Sequence, residues 1–217
     1  MKRISIIIAA LCVCTIMSAQ RKVDKMDENK WGWTEWADKY SSVTFEDGFM
    51  VIHNYKLHKG VKNIFDPRSL AYTFVKLPVR SNEDYKLTIK CIQPDLKNSV
   101  FTLFFNTSKK CLSDDAMLEE ITSSSIVFWG NKYQLIPMNQ NKFETLPIKV
   151  TKNNRKDFPM EIVITKRNDK ATIEVNGIQI FKGDCAITEQ CMGFAVPLKQ
   201  SLKVDEIIVE QAERNDD

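Results

Sequence analysis

Apolar and polar residues alternate along most of the chain from residue 44 onward. Between residues 84 and 93, Tyr85, Leu87, Ile89 and Cys91 fall on one side, with Lys86, Thr88 and Lys90 on the other. A period of two marks a half-buried β-strand. The same reading predicts strands at 44–54, 69–77, 84–93, 99–106, 126–136, 143–150, 160–167, 171–175, 178–182, 191–196 and 202–211. The run 99–106 is apolar on both faces, which predicts a central strand covered on both sides. Helical signals are confined to Ser113–Ile121, with a capping serine and an acidic first turn, and to a short piece at Thr34–Tyr40.

The stretch MEIVITKRNDKATIEVNGIQIFK, residues 160–182, sets its own register. Asn176-Gly177 suits a two-residue turn with positive φ at both positions. Val175 then faces Ile178, and Ile173 faces Ile180. A second turn at Asn168-Asp169 pairs Lys166 with Ala171, Ile164 with Ile173, and Ile162 with Val175. Both hairpins place their isoleucines and valine on one face, and a one-residue slip would break it. That face must be buried against another layer. No amphipathic helix in the chain is long enough, so a second antiparallel sheet is expected. The fold class is all-β: a two-sheet antiparallel sandwich with one or two short helices.

Composition adds bounds. The chain has 217 residues, 43% hydrophobic and 27% charged, which suits one core. Lys2 and Arg3 precede an apolar run, Ile4–Met17, followed by Ser18-Ala19. This is the pattern of a secretory signal peptide over residues 1–19, too short to span a membrane comfortably. A lipid-anchored reading through Cys12 or Cys14 meets a bulky residue, Leu11 or Val13, just before the cysteine. The expected organisation is a signal at 1–19, a lead-in at 20–43, the sandwich at 44–211 and a tail at 212–217. The mature chain is then exported, periplasmic or extracellular, with no transmembrane segment. Loss of Lys2 and Arg3 lowers the formal charge of +3 by two, leaving no electrostatic reason to expect nucleic acid.

Four cysteines follow the signal: Cys91, Cys111, Cys185 and Cys191. An oxidising compartment permits disulfides. Cys185 and Cys191 can close a small loop, and Cys91–Cys111 is the complementary pairing. Cys91 also reads as a small buried hydrophobe, in phase with Ile89. No metal or cofactor is expected. The cysteine and histidine spacings fit no zinc set, and neither an Asp-x-Asp-x-Asp calcium loop nor a phosphate-binding glycine loop occurs. The two histidines, His53 and His58, accompany no nucleophile elbow.

The remaining chemistry is aromatic. Trp31, Trp33 and Trp36 lie within six residues of one another, and Trp129 sits in IVFWGNKYQLIP. Flat aromatic faces stack on sugar rings while polar neighbours fix the hydroxyls. Trp129, Asn131, Tyr133, Gln134 and Trp33 are therefore the candidate binding residues. Trp31 and Trp36 read instead as staples holding the lead-in segment. Asp205 is in step with Ile207 and Val209, which calls for a bulge that turns it outward or for backbone N–H groups that bind it.

Several of these stretches resemble concanavalin A-like jelly rolls, the superfamily of lectins, glucanases and laminin-G-like domains. The carrying residues are 160–182, Met192-Gly193-Phe194, Val204-Asp205-Glu206-Ile207-Ile208-Val209 and Asp47-Gly48-Phe49-Met50-Val51. Residues 84–106 resemble the middle pair of exported bacterial sugar-hydrolase-like domains of unknown function. The resemblance implies a jelly-roll sandwich, a fold that hosts many functions, while the carbohydrate or glycan ligand is read from the aromatic residues above. Retaining glucanases of this fold carry Glu-x-Asp-x-x-Glu along a strand, and this chain has no such motif. Carbohydrate binding is thus the first expectation. A glycoside hydrolase with carboxylates from separate strands stands second, and an interaction module for a cell-envelope protein partner third.

Overall fold

The isoleucine-rich meander is covered by a second β-sheet. The computed structural model describes residues 19–56, 69–80, 83–93, 99–113, 118, 121–130, 132–136, 158–185 and 187–212. Its strands are β1 (Ala19–Asp24), β2 (Trp36–Ala37), β3 (Ser41–Glu46), β4 (Phe49–Asn54), β5 (Ala71–Lys76), β6 (Tyr85–Gln93) and β7 (Val100–Thr107). They continue with β8 (Ser124–Trp129), β9 (Lys132–Ile136), β10 (Phe158–Arg167), β11 (Lys170–Val175), β12 (Ile178–Asp184), β13 (Cys191–Val196) and β14 (Ser201–Ala212). The larger sheet runs β12-β11-β10-β6-β14-β4-β3-β2, with β1 also on β14; the smaller runs β5-β13-β7-β8-β9. Every strand pair is antiparallel. Among the described residues no helix is long and apolar enough to cross a membrane.

Alternation decides which side chains meet between the sheets. Met50, Ile52, Leu87, Ile89, Ile162 and Ile173 of the larger sheet share one core with Phe101, Leu103, Ile126, Phe128 and Phe194 of the smaller. Phe101 and Phe128 stack at 4.6 Å. Each such fully buried side chain contributes roughly 1.5–3 kcal/mol by leaving water. β7 is the central strand of its sheet. Phe101, Leu103 and Phe105 fill the core, while Val100, Thr102 and Phe104 on the other face are half-buried.

The open sides of the sandwich are stitched by side-chain bonds. On one side Trp36 Nε1 donates to the Tyr72 carbonyl (3.4 Å), and Thr73 Oγ1 to the Thr34 carbonyl (2.9 Å). On the other, Tyr133 Oη donates to the Ile180 carbonyl (3.1 Å). These bonds join the edge strands β2 and β5, and β9 and β12.

The predicted register of the meander holds at Ile162–Val175, Ile164–Ile173, Lys166–Ala171 and Val175–Ile178. Asn176 and Gly177 take φ of 51° and 76°. It departs at one place, where Ile173 pairs with Phe181 because β12 bulges around Ile180. On this edge strand the extra residue lets Ile180 and Phe181 both pack on the core. A bulge also accounts for Asp205: Val204 pairs with Cys91 and Glu206 with Lys90, so Asp205 is the extra, half-exposed residue. Glu206 then accepts a 2.6 Å hydrogen bond from Lys90 on the outer surface.

Other expectations are corrected. Thr34–Tyr40 is not helical: Trp36 pairs with Val43, and Asp38 Oδ1 accepts the Tyr40 and Ser41 N–H groups in a tight turn. Residues 126–136 form a hairpin, β8 and β9, with Gly130 at φ 55° in its turn. The lead-in supplies β1, paired with β14. The strand expected at 143–150 and most of the helix expected at Ser113–Ile121 lie outside the described residues. No disulfide is formed among the four cysteines in this structure, so the expected Cys185–Cys191 and Cys91–Cys111 links are not seen. Cys91 and Cys185 belong to the core between the sheets, whereas Cys111 and Cys191 belong to a separate cluster with Phe74. Opposite orientation thus separates the members of each expected pair.

Candidate functional site

The outer face of the smaller sheet follows from its register. One row reads Tyr72, Ala195, Thr102, Val127, Gln134 across β5, β13, β7, β8 and β9. The next reads Phe74, Gly193, Phe104, Ser125, Ile136, and a shorter third row reads Val100, Trp129, Lys132. Directly paired residues share a face, and neighbouring rows are two residues apart along each strand.

Aromatic rings dominate this face. Tyr72 and Phe74 lie 5.9 Å apart, and Phe74 and Phe104 5.5 Å, with tilted planes. Phe74 fits because position 193 is glycine, and a Cβ there would overlap its ring. At the Phe74 end the face is roofed by Cys111, Leu118 and Ile121. At the other end Thr102, Val127, Trp129 and Gln134 are only partly buried and Lys132 is exposed. That end combines an indole, an amide, a hydroxyl and an ammonium, a set able to stack on a ring and bond its polar substituents.

The candidate residues separate on this geometry. Trp129 and Gln134 face outward together. Tyr133 faces the core, 3% exposed, and its hydroxyl is committed to Ile180; burial raises its pKa. Trp33 is also buried, 2% exposed. It stacks on Phe194 at 5.7 Å and donates Nε1–H to Asp24 Oδ2 at 3.3 Å. Asn29 brackets its backbone, accepting Trp33 N–H at 2.7 Å and donating to Trp33 O at 2.8 Å. Tyr133 and Trp33 are therefore structural. Asn131 lies outside the described residues. The sequence reading passed over Tyr72, Phe104 and Thr102. Their signal was present in the alternation of AYTFVK and VFTLFF, once one face is assigned to the core.

No Asp or Glu occurs in β5, β7, β8, β9 or β13, so the smaller sheet supplies no acid–base pair from its strands. Of the two histidines, His58 lies outside the described residues. His53 stacks on Tyr55 at 4.2 Å on the larger sheet, and burial lowers its pKa. No cluster of metal-ligating groups occurs among the described residues.

Solved structures share this architecture. A galectin-like-fold protein of unknown function from Bacillus subtilis aligns with a TM-score of 0.62 at 12% identity, covering 91% of this chain and 98% of that one. The fold is a concanavalin A-like jelly roll. The catalytic domain of an endo-1,3-β-glucanase (laminarinase) from Thermotoga petrophila aligns at 0.60 with 9% identity, covering 92% and 100%. A chain from work on gut-microbiota endo-acting O-glycanases that initiate mucin breakdown aligns at 0.56 with 11% identity, covering 88% and 99%. No sequence-family model matches the chain, and no curated protein matches it in sequence. At these identities the likeness concerns the fold.

Proposed function

We propose that the protein binds carbohydrate on the outer face of its smaller sheet, at the open end around Trp129, Gln134, Thr102 and Lys132. The observation that carries this reading is the outward, partly buried Trp129 beside polar side chains on a sheet otherwise rich in aromatics. The ligand class is a neutral or acidic glycan, since Lys132 is the charged side chain of that end among the described residues. The proposal includes export, supported by Lys2 and Arg3 before the apolar run Ile4–Met17.

A second reading, glycoside hydrolysis, is favoured by the likeness to the laminarinase catalytic domain. It requires two carboxylates placed across the scissile bond, and the five strands of the smaller sheet provide none.

Titration of the full chain with an oligosaccharide panel, followed by tryptophan fluorescence and calorimetry, tests the proposal. A hit should lose about tenfold or more in affinity in Trp129→Ala, because stacking and burial of one ring face contribute roughly 1–3 kcal/mol. No response across the panel, or equal responses from wild type and variant, overturns it. Release of reducing ends from a polysaccharide, abolished by a single carboxylate substitution, would promote hydrolysis instead.

A further inference from the structure

We infer that Cys111 and Cys191 form a disulfide that fastens the segment following β7 onto β13. Cys191 opens β13 on the outer face, paired with Lys76 of β5 and Thr107 of β7. β7 changes register between the Cys191–Thr107 and Gly193–Phe104 pairings, and Asn106 takes φ 52° there. The chain then enters a 3-10 turn, Lys109–Leu112, which folds back over the sheet. Ser108 N–H donates to the Thr122 carbonyl (2.9 Å) and Cys111 N–H to the Ser108 carbonyl (3.1 Å), holding the turn in place. Cys111 and Cys191 are 6% and 1% exposed and meet against the Phe74 ring.

The two sulfurs are hydrogen-bonded to each other. That bond lowers the pKa of Cys191, with Lys76 and Lys109 helping and burial and Glu189 opposing. Cys91, in contrast, is wholly enclosed by the core, which pushes its thiol up to about 12. Either thiol of this pair, once ionised, opens the exchange. Reached when the Lys109–Leu112 turn lifts from the sheet, it attacks a small disulfide such as oxidised glutathione, forms a mixed disulfide and expels one glutathione thiolate. The other cysteine then attacks that protein sulfur and expels the second glutathione. The two protein protons end on the two glutathione thiols. Two electrons leave the protein sulfurs and reduce the glutathione disulfide.

The test is peptide mapping of the full wild-type chain after equilibration with oxidised and reduced glutathione. Trypsin with a glutamate-specific protease separates Cys185 from Cys191 by cutting after Glu189, leaving QCMGFAVPLK. The expected product joins that peptide to the one beginning at Cys111 and disappears on reduction. Reduction should also lower the unfolding midpoint by about 10 °C, as a cross-link between residues far apart in sequence is lost. A link from Cys191 to Cys185, any other pairing, or full alkylation of both Cys111 and Cys191 after equilibration overturns the inference.

Discussion

The hydroxyl of Tyr133 on β9 donates to the carbonyl of Ile180 on β12, linking the edge strand of the smaller sheet to that of the larger. Tyr133→Phe keeps the ring and removes this bond. The expected loss is about 0.5–1.5 kcal/mol in urea unfolding, since water can reach an edge-strand carbonyl. Tyr133→Ala also opens a hole and should lose about 3–5 kcal/mol. Sugar binding by Tyr133→Phe should equal wild type, because the ring faces inward. A reduced affinity would return Tyr133 to the binding set.

Asp24 is fully buried. Its carboxylate accepts Met26 N–H and Trp33 Nε1–H, both at 3.3 Å. Burial raises its pKa, and the two hydrogen bonds only partly oppose this. The native state therefore holds this proton more tightly than the unfolded chain. Its contribution is fully present below the unfolded pKa and is lost as pH rises through the raised native value. Asp24→Asn removes the titration. The stability of wild type relative to Asp24→Asn should therefore decrease as the pH rises above about 4. An increase over that range would show that the hydrogen bonds outweigh burial.

The meander was legible because two independent signals agreed: turn residues that tolerate positive φ, and isoleucines that share a face in only one register. The bulge at Ile180 was not, since Ile180 and Phe181 are both apolar and the pattern admits either as the partner of Ile173. β1 was missed because its AQRKVD carries little apolar signal; its place comes from backbone pairing with β14. The site shows the same limit. Read as one strand, 126–136 puts Trp129, Asn131, Tyr133 and Gln134 close together and groups the odd positions on one face. The turn at Gly130 resets that parity. Trp129 now pairs with Lys132, so Gln134 joins it outside while Tyr133 turns to the core. Lys166 was equally opaque: it occupies a core-facing position, 5% exposed, because its Nζ reaches the Glu83 carbonyl at 2.9 Å.

Asn54 ties β4 to the smaller sheet. Its side chain, 1% exposed, donates to the carbonyls of Ser69 (2.6 Å) and Val196 (3.2 Å). Asn54→Ala should lose about 2–4 kcal/mol, combining the loss of two buried hydrogen bonds with a small cavity. Asn54→Asp should lose more at neutral pH, because a buried carboxylate would then face two carbonyl oxygens. Part of that extra loss should return on acidification, as the protonated acid regains one donor. Urea midpoints of both variants at two pH values check this, and pH-independent loss in Asn54→Asp would contradict it.

Gly193 is required by its neighbour rather than by its backbone angle. A methyl group there would overlap the Phe74 ring and approach the Thr73 carbonyl too closely. Gly193→Ala should therefore destabilise the sandwich by about 1–3 kcal/mol through overpacking. Phe74→Leu in the same chain removes the ring but leaves the Thr73 carbonyl in place. The double variant should be less destabilised than the sum of the single changes, though not fully restored. Strict additivity would mean that the methyl is accommodated by movement of β13 against β5. In that case the packing of Phe74 against Phe104 would not depend on the glycine, and the aromatic face would tolerate alanine at that position.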